Sequence, residues 1–309
     1  MTGSRELMHI PVMRDAALAG LALRPDSRCL DATFGRGGHA RAILERLGAA
    51  GRLLLMDRDP EAIAYARREF GDDPRVAIRH ANFAEMGDWD AARCGLDAVL
   101  LDLGVSSPQL DDAARGFSFQ SDAPLDMRMD PTTGESAADF LARADAPAIA
   151  EVLFRYGEER MSRRIARAIV ARRSEAPLTT TRELAALVEQ VLGRPERHKH
   201  PATRTFQALR LQVNDELGSL ERALPAAVAV LKPGGRLAVI SFHSLEDRIV
   251  KHFIRGPQAA PVRRGLPLPA VAPAPLRAVG RAQKADAAEV ARNPRARSAV
   301  LRVAERLPC

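Results

Sequence analysis

Asp31-Ala32-Thr33-Phe34-Gly35-Arg36-Gly37-Gly38-His39-Ala40 is the stretch on which the fold turns. It closes a short apolar run, Arg28–Thr33, and opens a segment in which Ile43, Leu44 and Leu47 have helical spacing. A strand, a glycine loop and a helix in that order leave backbone N–H groups free at the helix start. Glycine there allows a tight turn and a close approach of backbone to ligand. Asp57 ends the next apolar run, Arg52–Asp57, where a carboxylate accepts hydrogen bonds from ribose hydroxyls. The loop therefore reads as a cradle for an adenosine-containing cofactor at the carboxyl ends of strands. Gly35-x-Gly37-x-x-Ala40 with Asp57 also meets the dinucleotide fingerprint, so a nicotinamide-dependent oxidoreductase stays open at this point. A glycine turn without a ligand is the plainer alternative.

Outward from the loop the alternation continues. Pro60–Phe70 reads as a helix with proline in its first turn, Arg75–Ile78 as a third strand and Asp97–Asp102 as a fourth. Nearly continuous apolar strands separated by helices predict a parallel sheet covered on both faces. From about Gln109 to Leu211 no buried strand is evident. Ser136–Ala144, Pro147–Tyr156, Glu158–Arg173 and Thr181–Leu192 read as helices, the last capped by Thr180 or Thr181. The long pattern Arg204–Leu231 carries the chain back to a strand at Arg236–Phe242, and Ser298–Ala304 reads as a last strand. The expected organisation is an α/β core, residues 1–110 and 212–309, interrupted by an inserted helical substrate-recognition domain, residues 111–211. Gly256–Val279 is rich in Pro, Ala and Arg, and residues 256–290 are expected to form a surface loop within the core.

The 309 residues carry a net charge of +7, which favours an anionic partner. The charge is uneven. Residues 160–210 hold 12 Lys/Arg against 4 Asp/Glu, and residues 255–309 hold 11 against 3, so the remainder is net acidic. Basic residues gathered on the insertion and the tail point to nucleic acid. Cys29, Cys94 and Cys309 are odd in number and far apart, which speaks against a disulfide framework or a cysteine zinc site. His198 and His200, without a third ligand nearby, make a poor metal site, and no metal is expected. No signal peptide is read in residues 1–10 and no window is long and apolar enough for a membrane span, so a cytoplasmic protein is expected.

Three features favour methyl transfer. Lys232–Leu237 (KPGGRL) resembles the turn before a late strand of class I methyltransferases. No second dinucleotide half is present, and no hydride-transfer pair. Asp102–Pro108 (DLGVSSP) ends the fourth strand, where amine methyltransferases keep a D/N-P-P-aromatic element; the match is positional. Nine words then appear in order: GRGGH (35–39), DRDP (57–60), LDLGVSSPQLD (101–111), RGFSF (115–119), PLDMRMD (124–130), YGEER (156–160), HPATRTFQ (200–207), SFHSLEDR (241–248) and NPRARS (293–298). Together they closely resemble the bacterial RsmH (MraW) family of 16S ribosomal RNA cytosine N4-methyltransferases, from about Met8 to Arg306.

The resemblance implies a class I (Rossmann-like) methyltransferase sheet with an inserted all-helical domain. It implies S-adenosylmethionine held by Gly37, Gly38, His39, Asp57, Phe83, Asp102 and Gln109, and 16S rRNA or the 30S subunit as partner. No obligate protein partner is evident. For the chemistry, Asp102 with the backbone of Leu103–Ser106 is the candidate acceptor of the amine proton; the alternative is that Asp102 only binds cofactor. Phe117 and Phe119 are candidates for stacking on the base, or else core residues. Arg115 and Arg128 either contact phosphate or pair with nearby aspartates. Arg163 and Arg164, with Arg167, Arg172 and Arg173, form a basic helix face beside Arg194–His200, whose Arg197 and Lys199 are the strongest RNA-contact candidates. His243 reads as a wall or core residue. Rival readings are DNA amino-methylation and a non-catalytic ribosome-assembly binder.

Overall fold

The computed structural model describes residues 11–193, 200–257 and 274–308. The chain divides into two compact units, Met1–Gly104 with Gly218–Cys309, and Val105–Leu217. These breaks lie six residues to either side of the expected domain bounds.

The first unit is built on β1 (Arg28–Asp31), β2 (Arg52–Asp57), β3 (Val76–His80), β4 (Leu96–Asp102), β5 (Leu231–Ser241), β6 (Leu276–Ala278), β7 (Gln283–Lys284) and β8 (Val300–Arg306). Their order is β3-β2-β1-β4-β5-β8-β6, with β7 pairing β8 off this path. β1 to β5 are parallel, whereas β8 runs antiparallel to β5, β6 and β7. This is the expected α/β sheet, with one reversed strand near its edge. The expected surface loop over 256–290 is corrected in part. Residues 276–278 and 283–284 are strands, and α13 (Ala287–Arg292) follows them. Their pairing partner β8 is supplied by the end of the chain, a signal no local window contains. Residues 258–273 of that stretch lie outside the described residues.

Both faces of the central strands β1, β2, β4 and β5 are covered, which is why those strands are largely apolar. Successive side chains alternate between faces. Leu53, Leu55, Leu100 and Ile240 pack on one side with Leu18 and Leu21 of α1 (Arg14–Leu21), Ile43 of α2 (Gly38–Leu44) and Phe70 of α3 (Pro60–Phe70). Leu54, Met56, Leu101 and Val239 pack on the other. They meet Ala92 of α4 (Asp90–Arg93), Leu220 and Leu224 of α11 (Glu216–Val230), and Val250 and Ile254 of α12 (Ser244–Arg255). The expected helix Pro60–Phe70 with proline in its first turn is present, and Asp59 caps it, accepting from Glu61 N at 3.0 Å.

The second unit holds α5 (Ser107–Asp111), α6 (Ala137–Arg143), α7 (Ala146–Gly157), α8 (Ser162–Glu175), α9 (Thr181–Leu192) and α10 (Thr203–Val213) around a core that includes Leu125, Met127, Ile149, Leu153, Ile165 and Leu209. No strand is assigned among its described residues. Thr180 caps α9 through a reciprocal box: its hydroxyl accepts from Glu183 N, and Glu183 Oε2 accepts from Thr180 N.

Two helical expectations change. The helix expected over Glu158–Arg173 begins at Ser162, because Glu158 turns left-handed (φ 50°) to end α7. The single pattern Arg204–Leu231 is two helices broken at Asn214 and Asp215 (φ 46°). Buried Asn214 donates to Met127 O at 2.7 Å and Arg210 O at 2.9 Å, and accepts from Met129 N at 2.7 Å. The break thus ties the helix end to the 127–129 segment. Asn214→Ala would leave Met127 O and Met129 N buried without this partner, at about 1–3 kcal/mol each. Urea denaturation of that variant is expected to show a loss of roughly 3 kcal/mol; a midpoint equal to wild type would refute the tie.

Candidate active site

The sheet order by itself places a crevice. From β1 the chain winds outward to β2 and β3, then returns to β4 on the other side. The connections leaving β1 and β4 therefore diverge at their carboxyl ends, and open α/β sheets bind ligands at such a switch point. The glycine loop follows β1, and Asp102 ends β4.

Asp31 and Asp102 flank the switch point. Asp102 N donates to Thr33 Oγ1 at 2.6 Å, which ties the two strand ends together. Asp31 is buried, 1% exposed. Its Oδ1 accepts from Thr33 N at 3.3 Å, and its Oδ2 has no hydrogen-bond partner among the described residues. Asp102 Oδ1 is likewise buried and unpartnered. Burial pushes the Asp31 carboxyl up to about 7 against the opposing pull of His39.

His39, in the first turn of α2, places Nε2 3.4 Å from Asp102 Oδ2, an ion pair at the long edge of contact. Burial resists charging this imidazole, yet Asp102 and then Asp31 hold its pKa above the ordinary histidine value. Asp57 closes the other flank. Its Oδ2 accepts from Gly35 N at 2.8 Å and its Oδ1 from Asp59 N at 2.9 Å. Burial raises its carboxyl to about 6, only partly offset by these N–H donors. Asp57 pairs with His80 at the end of β3, so the turn starting at Phe83 follows directly beside it.

Gly37 caps α2 with φ 71°, a left-handed conformation that L side chains avoid. A Cβ there would lie 2.7 Å from the Phe34 ring and 3.0 Å from Phe70. Phe34 is locked edge-on against Phe70, centroids 5.6 Å apart. The loop is thus shaped around a bare backbone, walled by one aromatic pair.

Of the residues singled out from sequence, Gly37, Gly38, His39, Asp57, Phe83 and Asp102 all lie at the carboxyl ends of β1 to β4 in the first unit. Gln109 belongs to the second unit. It is 5% exposed, and its Oε1 accepts from Ser106 N at 2.9 Å to box the start of α5. Phe117 lies in the apolar core of the second unit, 8% exposed, which corrects the expectation of base stacking there. Phe119 is half-buried between His200, centroids 4.4 Å apart, and Phe206 at 4.9 Å. Arg128 does not stand free for phosphate: it forks onto Asp126 at 2.7 and 2.8 Å. Buried Arg115 donates to Met129 O at 2.7 Å. Arg163 and Arg164 are exposed on α8 and form no salt bridge among the described residues. Arg194–Lys199, with Arg197, His198 and Lys199, lie outside the described residues. His243 caps α12, its Nδ1 accepting from Glu246 N at 3.4 Å and its Nε2 3.1 Å from Glu246 Oε1.

Sequence reasoning missed Asp31 as a site residue. It was read only as the end of a strand, and its burial and unpartnered oxygen depend on β4. It also missed Phe154, an aromatic of α7 that is 65% exposed.

The sequence profile of the MraW methylase family matches residues 6–307. The chain belongs to the MraW methylase family. The ribosomal RNA small subunit methyltransferase H of Stenotrophomonas maltophilia strain K279a is 60% identical over 301 residues, 97% of this chain and 93% of that protein. The enzyme of the same name from Xanthomonas axonopodis pv. citri is 59% identical over 300 residues, 97% of this chain and 87% of that one. A solved rRNA methylase from Streptococcus thermophilus superposes with a TM-score of 0.44 at 12% identity, covering 96% and 95% of the two chains. At that distance it adds nothing to the topology above. Family membership replaces the nicotinamide reading of the glycine loop with methyl transfer. The crevice fits a methyl donor that carries positive charge, because two buried carboxylate oxygens there lack any donor.

No helix among the described residues is long and apolar enough to cross a membrane, and no group of three potential metal ligands occurs among them.

Proposed function

We propose that this methylase transfers a methyl group from S-adenosylmethionine to N4 of a cytidine in 16S ribosomal RNA of the small subunit, in the cytoplasm, without an obligate protein partner. The observation that carries the reading is the family match over residues 6–307 joined to the acidic crevice of buried Asp31 and half-buried Asp57 and Asp102. The S. maltophilia and X. axonopodis relatives are named for methylating small-subunit rRNA, which supports the substrate class.

The donor supplies a methyl group on a sulfonium, activated enough that the enzyme has mainly to align, exclude water and receive a proton. Gly37 and Gly38 bring backbone close to the donor. Asp57, with Phe83 beside it, holds the ribose and base end. Asp31 and Asp102 meet its positive charge. Cytosine N4 is a weak nucleophile because its lone pair is delocalised into the ring. Alignment of the attacking nitrogen supplies ~7–11 kcal/mol of the barrier reduction. As nitrogen attacks the methyl carbon and the carbon–sulfur pair leaves with sulfur, one N–H proton must depart. Asp102 accepts it, and His39 steadies the carboxylate. Gln109, through α5, is assigned to the donor only by the family resemblance. Arg163 and Arg164 are assigned to RNA phosphate; Arg197 and Lys199 complete the same basic patch by sequence. Exposed Phe154 offers the stacking face that Phe117 does not.

The test is methyl transfer from labelled donor to 30S subunits, free 16S RNA and duplex or single-stranded DNA, followed by mass mapping of the product nucleoside. N4-methylcytidine in the ribosomal RNA is the expected product. Methylation of DNA alone, or of another base, would overturn the reading.

A pH dependence follows from the crevice. Between about 4 and 7 folded Asp31 keeps a proton that the unfolded chain has released, so folding takes up a proton and the free protein loses stability as pH rises through this window. A cationic ligand favours the ionised carboxylates. Donor affinity is therefore expected to rise from pH 5.5 to 7.5, as Asp57 and then Asp31 ionise, and to level off above. Calorimetric titration checks this. Asp31→Asn should bind more weakly, with a flatter pH profile and a smaller loss of stability toward pH 7, the remaining loss coming from Asp57 and His39.

A further inference from the structure

Away from the crevice, the first unit has a cavity of about 150 Å³ at the reversed-strand edge of the sheet. Its lining brings together Lys251 and Arg255 of α12, Arg281 from the turn after β6, and Arg302 of β8, over an apolar floor of Ile254 and Val303. No carboxylate lines it among the described residues. Arg302 is neutralised from outside the cavity, forking onto Asp247 at 2.7 and 2.9 Å. Lys251, Arg255 and Arg281 form no salt bridge among the described residues, and Arg255 and Arg281 are exposed.

Cations drawn from three separate segments repel one another when they share a small concavity, and low-dielectric walls concentrate their field. Arg255 lies in the last turn of α12, where the helix dipole favours a cation. Asp247 accounts for Arg302, but no salt bridge among the described residues accounts for the approach of Arg281. An anion in the cavity would offset the repulsion among Lys251, Arg255 and Arg281. With a water occupying roughly 30 Å³ of liquid volume, the cavity takes about five water-sized groups, the scale of a phosphate.

The position separates this cavity from the donor crevice. β8 lies two places beyond β4, roughly 10 Å across the sheet. Lys251 is seven residues along α12 from its start at the carboxyl end of β5, roughly 10 Å down the helix. That is farther than one nucleoside reaches. We propose that Lys251, Arg255 and Arg281 form a phosphate-binding site that takes a backbone phosphate of the RNA substrate away from the methylated base. This rests on the RNA reading above and adds an anchor on the α/β unit to the basic face of the helical unit.

The test compares wild type, Lys251→Ala/Arg281→Ala and Lys251→Arg/Arg281→Lys in binding to 30S subunits and 16S RNA across a salt series. S-adenosylmethionine affinity and thermal melting serve as controls of folding. The alanine variant is expected to bind RNA about tenfold more weakly near 0.15 M salt, with the slope of log K against log salt shallower by roughly 1.5–2. The charge-preserving variant should keep the wild-type slope. Wild-type RNA affinity and slope in the alanine variant would overturn the proposal while wild-type methylation stands. A wild-type protein that neither binds nor methylates RNA would overturn the functional reading, and this site with it. Titration with inorganic phosphate and pyrophosphate separates the two sources of the anion. Loss of that binding with RNA affinity unchanged would make this a site for a free phosphorylated ligand and overturn the RNA assignment.

Discussion

Asp102→Asn is expected to lower turnover by roughly 10²–10⁴-fold, the range lost when a positioned proton acceptor is removed. The substitution keeps side-chain size, and the backbone bond from Asp102 N to Thr33 Oγ1 does not involve the carboxylate, so the strand ends stay joined. What changes is charge. The amide accepts a departing amine proton poorly, and it no longer holds His39 above its ordinary pKa, so the imidazole deprotonates more readily. The measurement is single-turnover methylation of RNA at saturating donor, with donor affinity titrated separately. A large fall in rate with donor affinity within a few fold identifies the proton acceptor. A fall confined to affinity, with the saturated rate intact, would leave Asp102 a binding residue and remove the acceptor role.

Gly37→Val should nearly abolish donor binding. Two costs coincide at this position. A left-handed conformation costs an L residue roughly 1–2 kcal/mol, more when β-branched. The new Cβ would also stand 2.7 and 2.8 Å from two atoms of the Phe34 ring, and that ring cannot swing aside without displacing Phe70. Overpacking of this kind adds ~1–3 kcal/mol. Either the loop relaxes away from its ligand geometry or the fold bears the strain. Taken up by the loop, ~2–5 kcal/mol corresponds to a weakening of donor binding by roughly 30- to 4000-fold. Gly134→Ala is the comparison, because Gly134 has φ 73° but no atom within 4 Å of a new Cβ. Only the backbone cost applies there. Donor titration and thermal melting of both variants check the argument; wild-type affinity in Gly37→Val would show that the loop does not approach the ligand.

Much of the core was legible from local signals. The runs Arg52–Asp57 and Asp97–Asp102 are apolar because both faces of their strands are covered, and this shows in any short window. The loop after Asp31 was legible because glycine at a left-handed position has few substitutes. Elements with weak or shared signals were missed or misjudged. α1 and α12 were not foreseen, β6 and β7 were hidden in a proline-rich neighbourhood, and the break at Asn214 interrupts a pattern that runs smoothly across it. In the site, Asp57 and Asp102 were recognisable by their place at strand ends. For Arg128 and Phe117 two alternatives were open, and the structure takes the non-ligand one in each case: Arg128 pairs with Asp126 and Phe117 joins the helical core.

The order of residues alone determined the alternation of strand and helix, the glycine turn and the separation of basic from acidic segments, since each follows from neighbours within a few positions. Tertiary structure decided the strand order and the ion pair between His39 and Asp102. It also decided that Asp31 holds its proton to near neutrality, and that Lys251, Arg281 and Arg302 share one cavity. Those properties arise only when distant segments close together and exclude water, because the energy of a charge depends on everything packed around it and not on its neighbours in the chain.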